Sequence, residues 1–247
     1  MSNQLDPRIA ALRTTTAEAT AGFDAGLRAH MLSVYNYMAS GVLLTGIVAL
    51  LFAQGETPEA SLAGQIFMQP GILKWVVMLA PIGLVMWLSM GINRLSEGAA
   101  KGIFWAYAAL MGASLSTIFL AYTGASIATT FFATAAGFGA LSLHGYTTKR
   151  DLSGFGKFLM MGVVGIVIAM IANIFLKSSA LDLAVSILGV LLFAGLTVYD
   201  TQKIKNFYFE VAGTDFAGKA VVMGALTLYL DFINLFLFLL RFMGDRR

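Results

Sequence analysis

Two aspartates set inside long apolar stretches have the clearest capacity for chemistry in this chain. Asp231 lies within Ala225-Leu-Thr-Leu-Tyr-Leu-Asp231-Phe-Ile-Asn234-Leu-Phe-Leu-Phe-Leu-Leu-Arg241, and Asp200 closes Gly195-Leu-Thr-Val-Tyr199-Asp200-Thr-Gln202. A charge at the centre of a membrane helix costs roughly 2.5–3.5 kcal/mol on insertion scales, so it should face partners or water rather than lipid. Two carboxylates in one low-dielectric site cannot both ionise freely, and they titrate as a coupled pair. In such a pair one pKa is raised, which brings it into the physiological range. Asn234 follows Asp231 by three residues and shares its helical face. With Tyr199 and Tyr229 it could line a wet pathway, although hydrogen bonding between helices is the commoner role of such groups. Arg94, at the end of the second apolar run, is the candidate cation for holding the acids ionised. The alternative for each aspartate is a local one, capping a helix or satisfying a backbone donor.

Helices long enough to cross a bilayer must position these groups. The chain has 247 residues, of which 58% are hydrophobic and 12% charged, with a mean hydropathy of +0.80. Soluble domains carry about 25% charged residues, so lipid is the expected solvent. Apolar runs fall at roughly 31–53, 72–93, 102–122, 125–147, 157–176, 181–204 and 220–243, each near the length that spans about 30 Å of hydrocarbon. Residues 1–29 read as a polar tail or an interfacial helix, and 30–247 as the membrane domain. No removable signal peptide is expected in the first thirty residues. The expected fold is therefore all-α, a polytopic membrane protein of about seven transmembrane helices with the last helix central.

Counting Lys and Arg between the runs puts eleven on the side of the N-terminus and five on the other, which favours a cytoplasmic N-terminus. On that topology the sixth and seventh helices are antiparallel neighbours. Asp200 and Asp231 reach one depth only if the sixth helix continues past Lys203, or if one helix is tilted or irregular. Pro81 should kink the second span. Thr123-Gly124 joins the third and fourth in a tight hairpin. The small-residue clusters at Gly112–Ser116, Gly137–Gly139 and Gly162–Gly165 predict close helix packing. Trp75, Trp87 and Trp105 read as lipid-facing or interface anchors.

Several classes are excluded or disfavoured. With no cysteine and two histidines, disulfides, thiolate catalysis and Cys-based zinc sites are out. Gly213–Lys219 lacks the spacing of a phosphate loop, and the scattered basic residues present no nucleic-acid face. An intramembrane aspartyl protease would also need two aspartates on adjacent helices, but its Gly-x-Gly-Asp half is absent. A serine protease built on Ser114 or Ser116 with His144 has less support still. No enzyme activity and no resident cofactor are expected.

Tyr-Leu-Asp231-Phe-Ile-Asn234-Leu-Phe, Tyr199-Asp200-Thr-Gln202 and the seven-span layout resemble the Bax-inhibitor family, from about residue 30 onward. The resemblance implies a seven-helix bundle and a pH-sensitive calcium leak gated by an aspartate pair, mapping to Asp200 and Asp231 with Arg94 as partner. It is to a bacterial type of member, which implies the inner (plasma) membrane. It also allows a role in binding other membrane proteins, such as quality-control proteases or cell-death regulators. The implied partners are thus the lipid bilayer, calcium ions and other membrane proteins.

Overall fold

The computed structural model describes residues 7–246, with side chains from residue 25 onward. Helices account for all regular structure among the described residues, apart from one isolated bridge between Tyr122 and Arg246. In chain order they are α1 (Pro7–Ala53), α2 (Leu62–Phe67), α3 (Leu73–Gly91), α4 (Glu97–Leu115), α5 (Thr117–Ala121), α6 (Gly124–Thr147), α7 (Ser153–Leu176), α8 (Ser179–Val211) and α9 (Ala217–Met243). Seven segments are long and apolar enough to cross a membrane: Ala25–Ala53, α3, α4 with α5, α6, α7, α8 and α9. The tail expected over residues 1–29 is placed only from Pro7 onward, as the start of α1.

Side-chain caps mark several of the boundaries. Ser96, Thr123 and Ser178 stand at the N-caps of α4, α6 and α8, each accepting a backbone N–H from the first turn. The third span is two helices rather than one. At Ser116 the hydroxyl donates to the Ala113 carbonyl (2.6 Å), a back-bond that competes with the helical ladder. Pro81 is accommodated inside an unbroken α3. The sixth span runs seven residues beyond the expected 204, to Val211. That added length carries Lys203 and Lys205 as part of the helix.

At the centre stands α9, which packs against α8, α1, α6 and α4. Of its most apolar window 67% is buried, against 11% for α3 and for α7. Three apolar clusters surround it. The largest joins α1, α4 and α9 through Val34, Phe104, Tyr107 and Leu228. A second sets Phe193 of α8 against Phe238 of α9, rings stacked at 5.7 Å. The third, around Ile127, Phe236 and Leu240, closes the end where the chain finishes. Outward faces carry exposed Phe132, Ile168 and Phe175, and Trp75, Trp87 and Trp105 also reach the surface. An apolar exterior around a core that holds the polar groups is the distribution lipid selects.

The small-residue clusters divide into two kinds. A Cβ on Gly112 would meet the Thr45 carbonyl oxygen at 2.6 Å, and one on Gly162 would meet Leu192. Gly137, Gly139 and Gly165 have open space where a Cβ would be, so they do not serve the close packing expected of them. Another close approach of helices is at Gly145, where a Cβ would strike the Val198 carbonyl oxygen of α8.

Candidate functional site

Length and antiparallel pairing bring the acids together. Asp200 stands eleven residues before the end of α8, and Asp231 fourteen after the start of α9. At 1.5 Å per residue these are roughly 16 and 21 Å from the connecting turn, less than one helical pitch apart. The extension of α8 to Val211 thus removes the depth mismatch that a helix ending near 204 would have left. Asp200 and Asp231 are 8% and 4% exposed, and their side chains lie side by side on the two helices. Two carboxyl groups can share a hydrogen bond only when one of them carries a proton. Asp231 Oδ2 is buried with no hydrogen-bond partner among the described residues.

A belt of polar side chains surrounds Asp200. The Thr201 hydroxyl donates to the Thr197 carbonyl (2.7 Å) and contacts the Ser142 hydroxyl of α6 (3.3 Å). Tyr35 of α1 comes near both Ser142 and Thr201. Gln202 accepts from the Leu152 N–H (3.1 Å) and donates to the Arg150 carbonyl (2.7 Å), pinning the α6–α7 loop to α8. Lys203 stands one turn beyond Asp200 along α8, where it is exposed. Only the Tyr-Asp-Thr-Gln motif signalled this belt. Ser142 and Tyr35 come from distant stretches, and their spacing alone does not distinguish them.

The remaining candidates lie apart from the acids. Arg94 occupies the exposed turn between α3 and α4 and makes no ion pair among the described residues. The adjacent Asn93 carbonyl accepts from Lys219 Nζ at 3.5 Å, which sets this turn level with the start of α9. Asp231 is twelve residues further along, roughly 18 Å away at the helical rise and beyond an arginine's reach. Tyr229 is fully buried toward α1 and α4, with its hydroxyl 2.7 Å from Thr45 Oγ1 and its ring edge-on to Phe104 and Tyr107. Tyr199 lies over Gly156 of α7. Asn234 donates to the Leu230 carbonyl (2.8 Å) and lines a separate cavity of about 610 Å³ beside Arg241 and Tyr122. Asn173 caps the end of α7, accepting from the Ser178 N–H at 2.9 Å. His144 is exposed, whereas His30, which no motif singled out, is buried against the Tyr208 ring.

No group of three or more His, Cys, Asp or Glu side chains stands close enough to hold a metal ion among the described residues. The two carboxyl groups carry about four oxygens between them, fewer than the about six to eight that calcium takes in a storage site.

Comparison with known proteins matches residues 27–247 to the family model described as inhibitor of apoptosis-promoting Bax1. Among similar chains is the inner membrane protein YbhL of Escherichia coli, 49% identical over 226 residues, covering 90% of this chain and 94% of that one. A protein of Rickettsia prowazekii is 48% identical over 234 residues, with 94% and 96% covered. An uncharacterized membrane protein of Streptococcus pyogenes is 37% identical over 221 residues, with 90% and 94% covered.

Proposed function

The chain belongs to the Bax inhibitor family of membrane proteins, and on that premise we propose that it is a pH-sensitive calcium leak, gated by Asp200 and Asp231. The observation that carries this reading is the buried contact between the two carboxyl groups on adjacent helices. A proton between them ties α8 to α9 at the centre of the bundle. Loss of that proton replaces a hydrogen bond with like-charge repulsion, the local change a two-state gate needs. Calcium is the substrate, held by few ligands so that it can leave as readily as it enters. Lys203 takes the electrostatic role that the sequence suggested for Arg94. The protein acts as a channel and not as an enzyme. Its seven apolar helices and its likeness to an inner membrane protein of Escherichia coli support the bacterial inner membrane as its location.

Calcium flux in liposomes holding the purified chain tests this. Asp231→Asn keeps size and hydrogen bonding and removes the charge; it flattens the dependence of flux on pH, and Asp200→Asn does nearly the same. Because the acids act as one unit, the double variant stays within about twofold of either single one. An unchanged pH profile in both single variants removes the gate assignment.

A further inference from the structure

Between α1 and α6 the bundle leaves a lateral groove of about 650 Å³. These two helices scarcely touch, because both pack on α9 instead. The floor is buried Met31, Met38, Phe138 and Phe232, and exposed Leu43 and Leu143 stand along the rims. From Arg28 to Leu43 the α1 wall rises through fifteen helical steps, roughly 22 Å. That exceeds half of the ~30 Å hydrocarbon thickness, so the groove is as deep as one lipid leaflet. Tyr35 of α1 and Ser142 of α6 line it from opposite walls part-way along.

One end of this apolar slot is basic. Arg28 lines it and has no carboxylate partner among the described residues. Lys205 reaches the same end, donating to the carbonyl of Tyr146 at 2.7 Å with its ammonium over the Tyr146 ring. Apolar walls at membrane depth, a sideways opening and two cations at the mouth match a single amphiphile: an acyl chain in the slot and an anionic headgroup at the basic end. We propose that the α1–α6 groove is a binding site for an anionic phospholipid of the surrounding bilayer.

The walls provide their own plugs. Gly139 lines the groove with nothing within 4 Å of where a Cβ would sit, so a larger side chain there starts out into the slot. Gly137, on the same helix, also has open space but does not line the groove, and it serves as the control.

The test is native mass spectrometry of the full chain in detergent, with phosphatidylglycerol and phosphatidylcholine of identical acyl chains added at equal concentration. The unmodified chain retains one phosphatidylglycerol in preference to phosphatidylcholine. Arg28→Gln reduces that preference about fivefold, the effect of one basic side chain at an anionic headgroup. Gly139→Leu lowers retention of the first lipid of either kind, and Gly137→Leu leaves it unchanged. Should Gly139→Leu fail to fold, Ala39→Phe plugs the slot from the α1 wall. Equal retention of the two lipids by the unmodified chain overturns the proposal, as do full retention in the plugged variants and a groove filled by dimerisation. None of these readouts involves ion flux, so the result is separate from the fate of the channel reading.

Discussion

The Thr45 hydroxyl donates to the Ala108 carbonyl (2.8 Å), so its 2.7 Å contact with Tyr229 must be donated by the tyrosine. That order makes the two partners unequal. Tyr229→Phe removes one donor and leaves Thr45 still bonded to Ala108, at a cost of about 1 kcal/mol. Thr45→Val strands a tyrosine hydroxyl in the core and costs more, about 1–3 kcal/mol. Thermal unfolding in detergent should rank Thr45→Val below Tyr229→Phe; the reverse order would mean the hydrogen is placed the other way. A third acid, Asp151, sits in the α6–α7 loop that Gln202 holds against α8. Its side chain accepts the Ser153 N–H at 2.9 Å, and hydrogen bonds from Ser153 hold its carboxyl below the usual 3.8. A lowered folded-state value means the contribution is in place above the ordinary carboxylate range and fades as pH falls through the lowered value. Between about pH 5 and 8 Asp151 therefore stays ionised. Asp151→Asn should leave the pH profile of calcium flux unshifted over that window, and a moved midpoint would put the sensor in the α6–α7 loop instead of the buried pair.

At the scale of helices, close approach is set by where two backbones cross, and this explains which glycines matter. Gly112→Ala forces a methyl to within 2.6 Å of a backbone oxygen on α1, so α4 must shift away from its neighbour. Gly165→Ala meets open space on α7 and gains helix propensity, up to about 1 kcal/mol. Melting temperatures should move in opposite directions, down for Gly112→Ala and up for Gly165→Ala; a matching fall in both would remove the crossing argument. The same contrast shows what the chain discloses in one dimension. Seven apolar runs, the hairpin at Thr123-Gly124 and the central last helix were legible, because length, hydropathy and the polar content of α9 are local properties. The pairing of Asp200 with Asp231 was legible as a need of two buried acids. Its depth is consistent only because α8 continues through Lys203 and Lys205, where polar residues mask a helix that leaves the apolar core. Arg94 was misplaced for a related reason: a basic residue at a span's end says which surface it lies on, not which neighbour it faces. Gly137 and Gly162 look alike in sequence, and only the partner helix separates them.

Over the whole molecule, charge and connectivity favour one orientation. Arg28, Arg94, Lys149, Arg150, Lys203, Lys205 and Lys219 collect at one end of the bundle, and Lys74, Lys177, Arg241 and Arg246 at the other. The second group is partly neutralised, since Arg241 is paired with Asp182 at the start of α8. The same end gathers the chain's finish: the Thr123 N–H donates to the Asp245 carbonyl (3.1 Å), the Asp245 N–H to Ser126 Oγ (2.9 Å), and Arg246 lies over the Tyr122 ring. The tail is thereby tied to the α5–α6 turn, and seven spans require both to face away from the N-terminal side. Basic residues are retained on the cytoplasmic side, so the Lys149 end should be inside and the Tyr122 end outside. A chain without cysteine offers a clean background for single introduced thiols. Glu56→Cys, in the exposed loop after α1, should react with a membrane-impermeant maleimide on intact cells. Lys149→Cys, in the exposed stretch after α6, should react only once the membrane is opened. Labelling of Lys149→Cys from outside would invert the bundle, placing the Arg28 end of the lipid groove in the outer leaflet and both acids on a path read from the opposite side.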